Sequence, residues 1–268
     1  MAKAYKNEEF LMSRDARALR ILSEYLEPQS RFARYRVADT VVFFGSARAL
    51  PMEQAQKALV EAKGTGDATA VERAECVVQL ARYYEDARAL SRMMTEWSKS
   101  LSKSSRRFLV CSGGGPGIME AANRGASDAH GISIGLGISL PSEPSTNDFI
   151  TREMEFEFHY FFMRKFWFVY LAKALVVFPG GFGTMDELFE LLTLIQTQKS
   201  SKHMPIVLYG REFWNDVVKF DALIRWGTIS ASDLSLFHVA DSPDEAFEYL
   251  KHELLTLYGA KESEVPSV

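Results

Sequence analysis

The sequence predicts an α/β protein: a Rossmann-like doubly wound parallel sheet with helices on both faces and a helical insertion after the first strand. Short runs such as Thr40–Phe44, 174–178 and 205–209 are apolar throughout instead of alternating, the pattern of strands covered on both faces. Between them lie stretches with apolar residues at helical spacing, and strands alternating with helices imply parallel pairing through crossovers. Three of the strand ends run into glycine-rich turns, and open α/β sheets bind ligands beyond the carboxyl ends of their strands.

Residues 8–26 carry Phe10, Leu11, Leu19, Leu22 and Leu26 at helix-like intervals with Pro28 just beyond, which predicts an amphipathic helix stopped by the proline, a packing or dimer element. It belongs to an N-terminal helical extension, 1–39. Thr40–Phe44 is a buried strand delivering the turn Gly45-Ser46-Ala47-Arg48. The insertion, 51–105, is rich in Ala, Glu, Arg and Met and broken by Gly64-Thr65-Gly66-Asp67, so it reads as two helices joined by a turn. Strand and helix signals then alternate: strand 107–111, helix 117–129, strand 132–140, helix 160–172, strand 174–178, helix 185–198, strand 205–209 and helix 213–226. Strand 237–240 and helix 243–258 complete a single α/β nucleotide-binding domain over 40–258, followed by a flexible polar tail, 259–268.

The composition, 47% hydrophobic and 25% charged over 268 residues, is that of a globular protein with a real core. A net charge of −4 gives no general attraction to nucleic acid or anionic membrane, so a phosphate must be captured by local geometry. Cys76 and Cys111 lie far apart with no CxxC or nearby His pair, which suggests neither a disulfide framework nor a structural metal site. The N-terminus has no apolar leader segment, and the longest apolar stretch, 166–178, is broken by Lys173 short of a membrane span; a cytoplasmic protein is expected.

The glycine turns are Gly45-Ser46, Gly113-Gly-Gly-Pro-Gly117 and Gly180-Gly-Phe-Gly183. Glycine lets backbone N–H groups approach a phosphate, and a helix opening directly from the turn presents unpaired N–H groups to the anion. Any one such turn has the plain alternative of relieving strain. A dinucleotide site needs GxGxxG and an acid about 20 residues on, whereas Gly113, Gly115 and Gly117 are spaced GxGxG and 132–140 carries no acid. The GxxxxGK of a P-loop is absent as well, which leaves mononucleotide binding. Glu187 follows Thr184 by three residues, a capping-box spacing, so it reads either as a helix cap or as a carboxylate that stabilises positive charge at a ribose C1′ and activates water. Asp186 is the second choice for that role.

Gly113-Gly-Gly-Pro-Gly-Ile-Met119, Met163-Arg-Lys165 and Pro179-Gly-Gly-Phe-Gly-Thr-Met-Asp-Glu187 together resemble the Lonely Guy (LOG) family, phosphoribohydrolases of cytokinin riboside 5′-monophosphates, many once labelled lysine decarboxylases. The resemblance covers about 41–209 without the insertion. It implies release of free base and ribose 5-phosphate from a nucleoside 5′-monophosphate with no cofactor and no metal, and a catalytic pair corresponding to Arg164 and Glu187. An arginine suits that position on physical grounds too, because a guanidinium binds phosphate or ribose oxygens in pairs and keeps its charge; the plain alternative is a surface ion pair. Phosphate would lie on the backbone of Gly180, Gly181 and Gly183 and the Thr184 hydroxyl. Gly45, Ser46, Gly114, Gly115 and Met119 would line the nucleotide, and Lys165 and Thr193, the latter about two turns after Glu187, would be further substrate contacts.

The chain departs from compact members in its insertion and in an aromatic run, Phe156, Phe158, His159, Tyr160, Phe161 and Phe162, which reads as core or dimer interface ahead of a base-stacking platform. Excess apolar surface there and on the N-terminal helix, with the resemblance, predicts a homodimer or higher homo-oligomer. His159 is the one histidine near the motifs and reads as buried or interfacial before it reads as an acid for a leaving base. The competing function is a nucleotide sensor or carrier without turnover, like molybdenum-cofactor carriers. Decarboxylation is disfavoured because the motifs offer only Lys165 for a Schiff base.

Overall fold

The computed structural model describes residues 3–101, 106–139, 146–199 and 203–259. Seven strands form one all-parallel sheet: β1 (Thr40–Phe44), β2 (Leu109–Ser112), β3 (Ser133–Ile138), β4 (Glu155–Phe158), β5 (Ala172–Val177), β6 (Ile206–Tyr209) and β7 (His238–Ala240). Their spatial order is β4-β3-β2-β1-β5-β6-β7, so the chain winds outward from β1 in one direction and from β5 in the other. The winding reverses between β1 and β5, and there the strand ends leave a crevice for a ligand.

The uniform apolarity of the strands is explained by two separate cores. Within β1, Val42 and Phe44 face one core with Trp167, Phe168, Leu188 and Trp214, while Val41 and Phe43 face the other with Tyr84, Leu90, Met94 and Ile118. Successive side chains of a strand point to opposite faces, so every position of a central strand is apolar when helices cover both. The first face carries α2 (Arg17–Arg34), α6 (Phe161–Leu171), α7 (Phe182–Gln196) and α8 (Arg211–Val217); the second carries α4 (Ala68–Ser100), α5 (Ile118–Asp128) and α10 (Pro243–Tyr258). The predicted insertion forms a helical hairpin of α3 (Met52–Thr65) and α4, with Gly66 in the left-handed region at the turn. It is no appendage: α4 is the crossover helix between β1 and β2 and buries Tyr84, Ala87, Leu90 and Met94.

Several elements differ from the sequence expectation. The N-terminal helix is two pieces, α1 (Glu8–Met12) and α2, and α2 runs through Pro28 instead of stopping before it. Proline has no N–H for the carbonyl four residues back. That carbonyl, of Glu24, instead accepts the indole N–H of Trp167 at 2.9 Å. The Glu24 carboxylate in turn accepts the backbone N–H groups of His159 and Tyr160 at 2.8 and 3.2 Å, capping the entry to α6. The inward stripe of α2 is Ile21, Tyr25, Pro28 and Phe32, whereas Leu19, Leu22 and Leu26 are 46–49% exposed. Trp167→Phe is expected to cost about 1–3 kcal/mol by leaving that carbonyl unpaired, measurable as a lower midpoint in urea unfolding.

Strand β4 was not expected. Glu155-Phe-Glu-Phe158 alternates, with both phenylalanines buried and both glutamates outward, which is a period of two inside what reads as an aromatic helical run. The predicted helix 213–226 is two, α8 and α9 (Phe220–Arg225). Leu140 of the predicted strand 132–140, residues 102–105 of the insertion and 260–268 of the tail lie outside the described residues. No helix among the described residues is long and apolar enough to cross a membrane.

Candidate active site

The three glycine turns meet at the winding reversal and are bonded to one another through Ser46. Its N–H donates to the Pro179 carbonyl at 2.9 Å, and its carbonyl accepts the Ile118 N–H at 3.0 Å. Gly117 makes the second contact possible: its φ is +72°, and a Cβ there would lie 2.2 Å from the Ser46 carbonyl oxygen. The Ser112 hydroxyl accepts the Gly114 N–H at 3.1 Å, and the Asn147 side chain donates to the Gly114 and Gly115 carbonyls at 3.0 Å each. This second turn is therefore held from below by its own strand and from above by a residue far along the chain.

Above the turns opens a cleft of about 1060 Å³. It is lined by Gly45, Ser46, Gly114, Gly115, Met119, Arg164, Gly180, Gly181, Gly183, Thr184 and Glu187, which brings together all but two of the residues assigned from sequence to the catalytic pair and the substrate contacts. The exceptions are Lys165 and Thr193, which line a separate shallow hollow of about 520 Å³ with Asp186 and Glu190. The Thr193 hydroxyl is turned back onto the Phe189 carbonyl at 2.7 Å. His159 is exposed against the Tyr160 ring and does not line the cleft.

Two helices open towards the cleft, and they are unequal. The first N–H of α5 is already spent on Ser46. Helix α7 begins at Phe182 with Gly181 in the cap position and no side-chain cap. Its unpaired N–H groups and positive dipole end are thus presented to whatever occupies the cleft. The capping-box alternative for Glu187 is overturned by this start: Thr184 and Glu187 are both inside the helix and buried, at 7% and 6% exposure. The pattern was legible, but the glycines let the helix begin two residues before Thr184.

Glu187 projects into the cleft from the second turn of α7. Burial raises its carboxyl above the usual carboxylate range, the Lys165 and Arg164 charges pull it back, and Glu190 pushes it up again. Arg164, on α6, reaches the same cleft with its guanidinium 5.2 Å above the Phe161 ring and 5.7 Å from that of Phe168. Aromatic faces on that side favour a held cation. Sequence reasoning missed the far wall, where Glu155 and Glu157 of β4 line the cleft beside Ser139, Thr146 and Ile138. The alternation of Glu and Phe over 155–158 was the available signal. Among the described residues no group of three or more His, Cys, Asp and Glu is arranged to hold a metal ion.

These features define a class: a doubly wound parallel α/β protein with a ligand-sized cleft at its winding reversal, carrying an uncapped helix N-terminus and a buried carboxylate. Residues 119–250, just under half of the chain, match the family model described as "Possible lysine decarboxylase". A pyrimidine/purine nucleotide 5′-monophosphate nucleosidase of Escherichia coli K12 is 31% identical over 119 residues, 39% of this chain and 25% of that protein. A probable cytokinin riboside 5′-monophosphate phosphoribohydrolase, LOG4, of Oryza sativa subsp. japonica is 27% identical over 139 residues, 51% of this chain and 59% of that one. The chain thus spans about a quarter of the first relative and 59% of the second. A solved molybdenum cofactor binding protein from Rippkaea orientalis aligns with a TM-score of 0.47 at 18% identity, over 80% of this chain and 94% of its own.

Proposed function

We propose that this protein hydrolyses the N-glycosidic bond of nucleoside 5′-monophosphates, AMP or N6-modified adenine nucleotides of the cytokinin type, giving free base and ribose 5-phosphate. The observation that carries the reading is one cleft holding a buried Glu187 carboxylate and the Arg164 guanidinium at a short distance along the chain from an uncapped helix N-terminus. The N–H groups at the start of α7 and the Thr184 hydroxyl take the 5′-phosphate. Arg164 pairs with phosphate or ribose oxygens and fixes the sugar. Glu187 then takes a proton from a water whose oxygen bonds to C1′, while the C1′–N bond breaks and its electron pair leaves with the base, which is protonated from solvent. Its negative charge also stabilises the positive charge that builds on the ribose.

The purified protein, incubated with AMP, the other nucleoside monophosphates and isopentenyladenosine monophosphate, is expected to release free base, followed by chromatography. Release from none of them overturns the proposal, and thermal stabilisation by nucleotide without release would make the protein a carrier. Adenosine, lacking the phosphate, is expected to show a kcat/KM lower than that of AMP by about two orders of magnitude or more, since charge-assisted contacts contribute about 1.5–3 kcal/mol each. Equal rates would remove the glycine turn from the mechanism.

A further inference from the structure

Lys165 directly follows the arginine of the cleft, yet it approaches the same helix from the other side. Its side chain is 18% exposed, and its ammonium group lies 2.7 Å from an Asp186 oxygen, 2.7 Å from a Glu190 oxygen and 3.4 Å from Glu187 Oε1. It lines the shallow hollow outside the cleft, while Glu187 lines the cleft itself. The carboxylate therefore has the ligand space before it and the lysine behind it.

We infer that Lys165 is a positioning residue: it holds the Glu187 carboxylate charged and aimed into the cleft without itself touching substrate. The inference rests on the reading of Glu187 as the group that acts in the cleft, and it replaces the expectation that Lys165 contacts substrate.

The physical case is electrostatic. Glu190 on α7 is four residues after Asp186 and three after Glu187, spacings that bring its charge beside each of theirs, and like charges at such spacings repel. Asp186 and Glu190 have water to share that burden, with side chains 61% and 36% exposed; Glu187, at 7%, does not. It is the carboxylate that would take up a proton first if the cation were removed, because burial already disfavours its charged form. The ammonium is well suited to stay charged: burial works against it, but hydrogen bonds to Asp186 and Glu190 and the charge of Glu187 outweigh that, and it is held above the usual lysine range. A compact ammonium with three donors matches three acceptors, one on each carboxylate. The charged groups acting on Glu187 are Lys165 and Arg164 from α6 and Glu190 from its own helix.

The test uses the full chain and two substitutions of opposite sign. In a pH–rate profile for AMP, Lys165→Met is expected to move the acid limb up by at least about one unit, a tenfold or greater loss of kcat/KM on that limb. Glu190→Gln removes an anion and is expected to move the limb down, and Lys165→Arg to restore it. KM is expected to stay within about twofold throughout, since the lysine does not meet substrate. A merely structural role would lower activity at every pH without moving the limb. Titration of the Glu187 carboxyl by infrared difference spectroscopy, with Glu187→Gln as the subtraction, gives the same shift with no substrate present. That measurement decides the matter even if AMP is not hydrolysed. Limb and titration unmoved in Lys165→Met overturn the inference; if that variant does not fold, an unmoved titration in Glu190→Gln overturns it.

Discussion

Glu187→Gln is expected to lower base release from AMP by about 10²- to 10⁴-fold while raising the melting temperature at neutral pH. The loss follows from removing the proton acceptor and the negative charge while keeping the shape of the side chain. The gain in stability follows from linkage. Glu187 is buried and its carboxyl is raised above the usual value of 4.5, so the folded chain binds that proton more tightly than the unfolded chain does. Its contribution to stability is then fully present below pH 4.5 and is lost as pH rises through the raised folded value. Glutamine does not ionise. Its advantage over glutamate should therefore be seen at pH 8 and vanish near pH 4, which melting curves at the two values would show. A variant that keeps wild-type activity, or that is less stable at pH 8 than at pH 4 relative to the wild type, would return Glu187 to a structural role.

Gly117→Ala is the substitution expected to damage the fold most among the glycine turns. The left-handed φ of +72° costs a side chain about 1–3 kcal/mol. In addition the new Cβ would stand 2.2 Å from the Ser46 carbonyl oxygen and 2.7 Å from the Ala47 carbonyl carbon, and displacing well-packed backbone costs about 1–3 kcal/mol more. The Ile118–Ser46 hydrogen bond that ties the second turn to the first would be the first casualty. Thermal unfolding and nucleotide binding should fail together. Gly183→Ala is the internal control, because a Cβ there meets nothing within 4 Å. It should leave the melting temperature within about 1 kcal/mol of stability, as expected of an unhindered glycine replacement, so any loss of nucleotide affinity would report the ligand's approach to the helix start. A Gly117→Ala protein as stable as wild type would mean that the turns are not interlocked as described.

Much of the fold was legible because buried strands and amphipathic helices leave periodic signals in local sequence. Strand β1 and helix α10 coincide with their expected bounds, and the hairpin of α3 and α4 was announced by glycines at its turn. What escaped was governed by partners remote in sequence. Pro28 reads as a helix stop, and it would be one if Trp167 did not satisfy the carbonyl it orphans. Glu155-Phe-Glu-Phe158 adjoins a genuinely helical aromatic stretch, and only pairing with β3 separates the two. The leucines of α2 are regularly spaced, yet the stripe that packs is Ile21, Tyr25, Pro28 and Phe32, since burial follows the surface the helix lands on.

The candidate site divides in the same way. The glycine turns at strand ends, and hence the place of the cleft, are properties of local chain geometry, in which small residues and helix starts act over a few neighbours. By itself the sequence therefore determined the α/β class and most of the residues that gather around the cleft at one end of the sheet. The start of α7 at Phe182, which removes Glu187 from a capping role, follows a chain end held against β1 by the Phe178 N–H on the Phe44 carbonyl and the Ser46 N–H on the Pro179 carbonyl. The division between Arg164 inside the cleft and Lys165 behind it depends on the rotation of α6 against α7, which adjacent positions in sequence do not encode. Such rotations arise from long-range packing, where each helix settles according to side chains more than a hundred residues away, and they decide which of two neighbouring cations lines the cleft and which lies behind the Glu187 carboxylate.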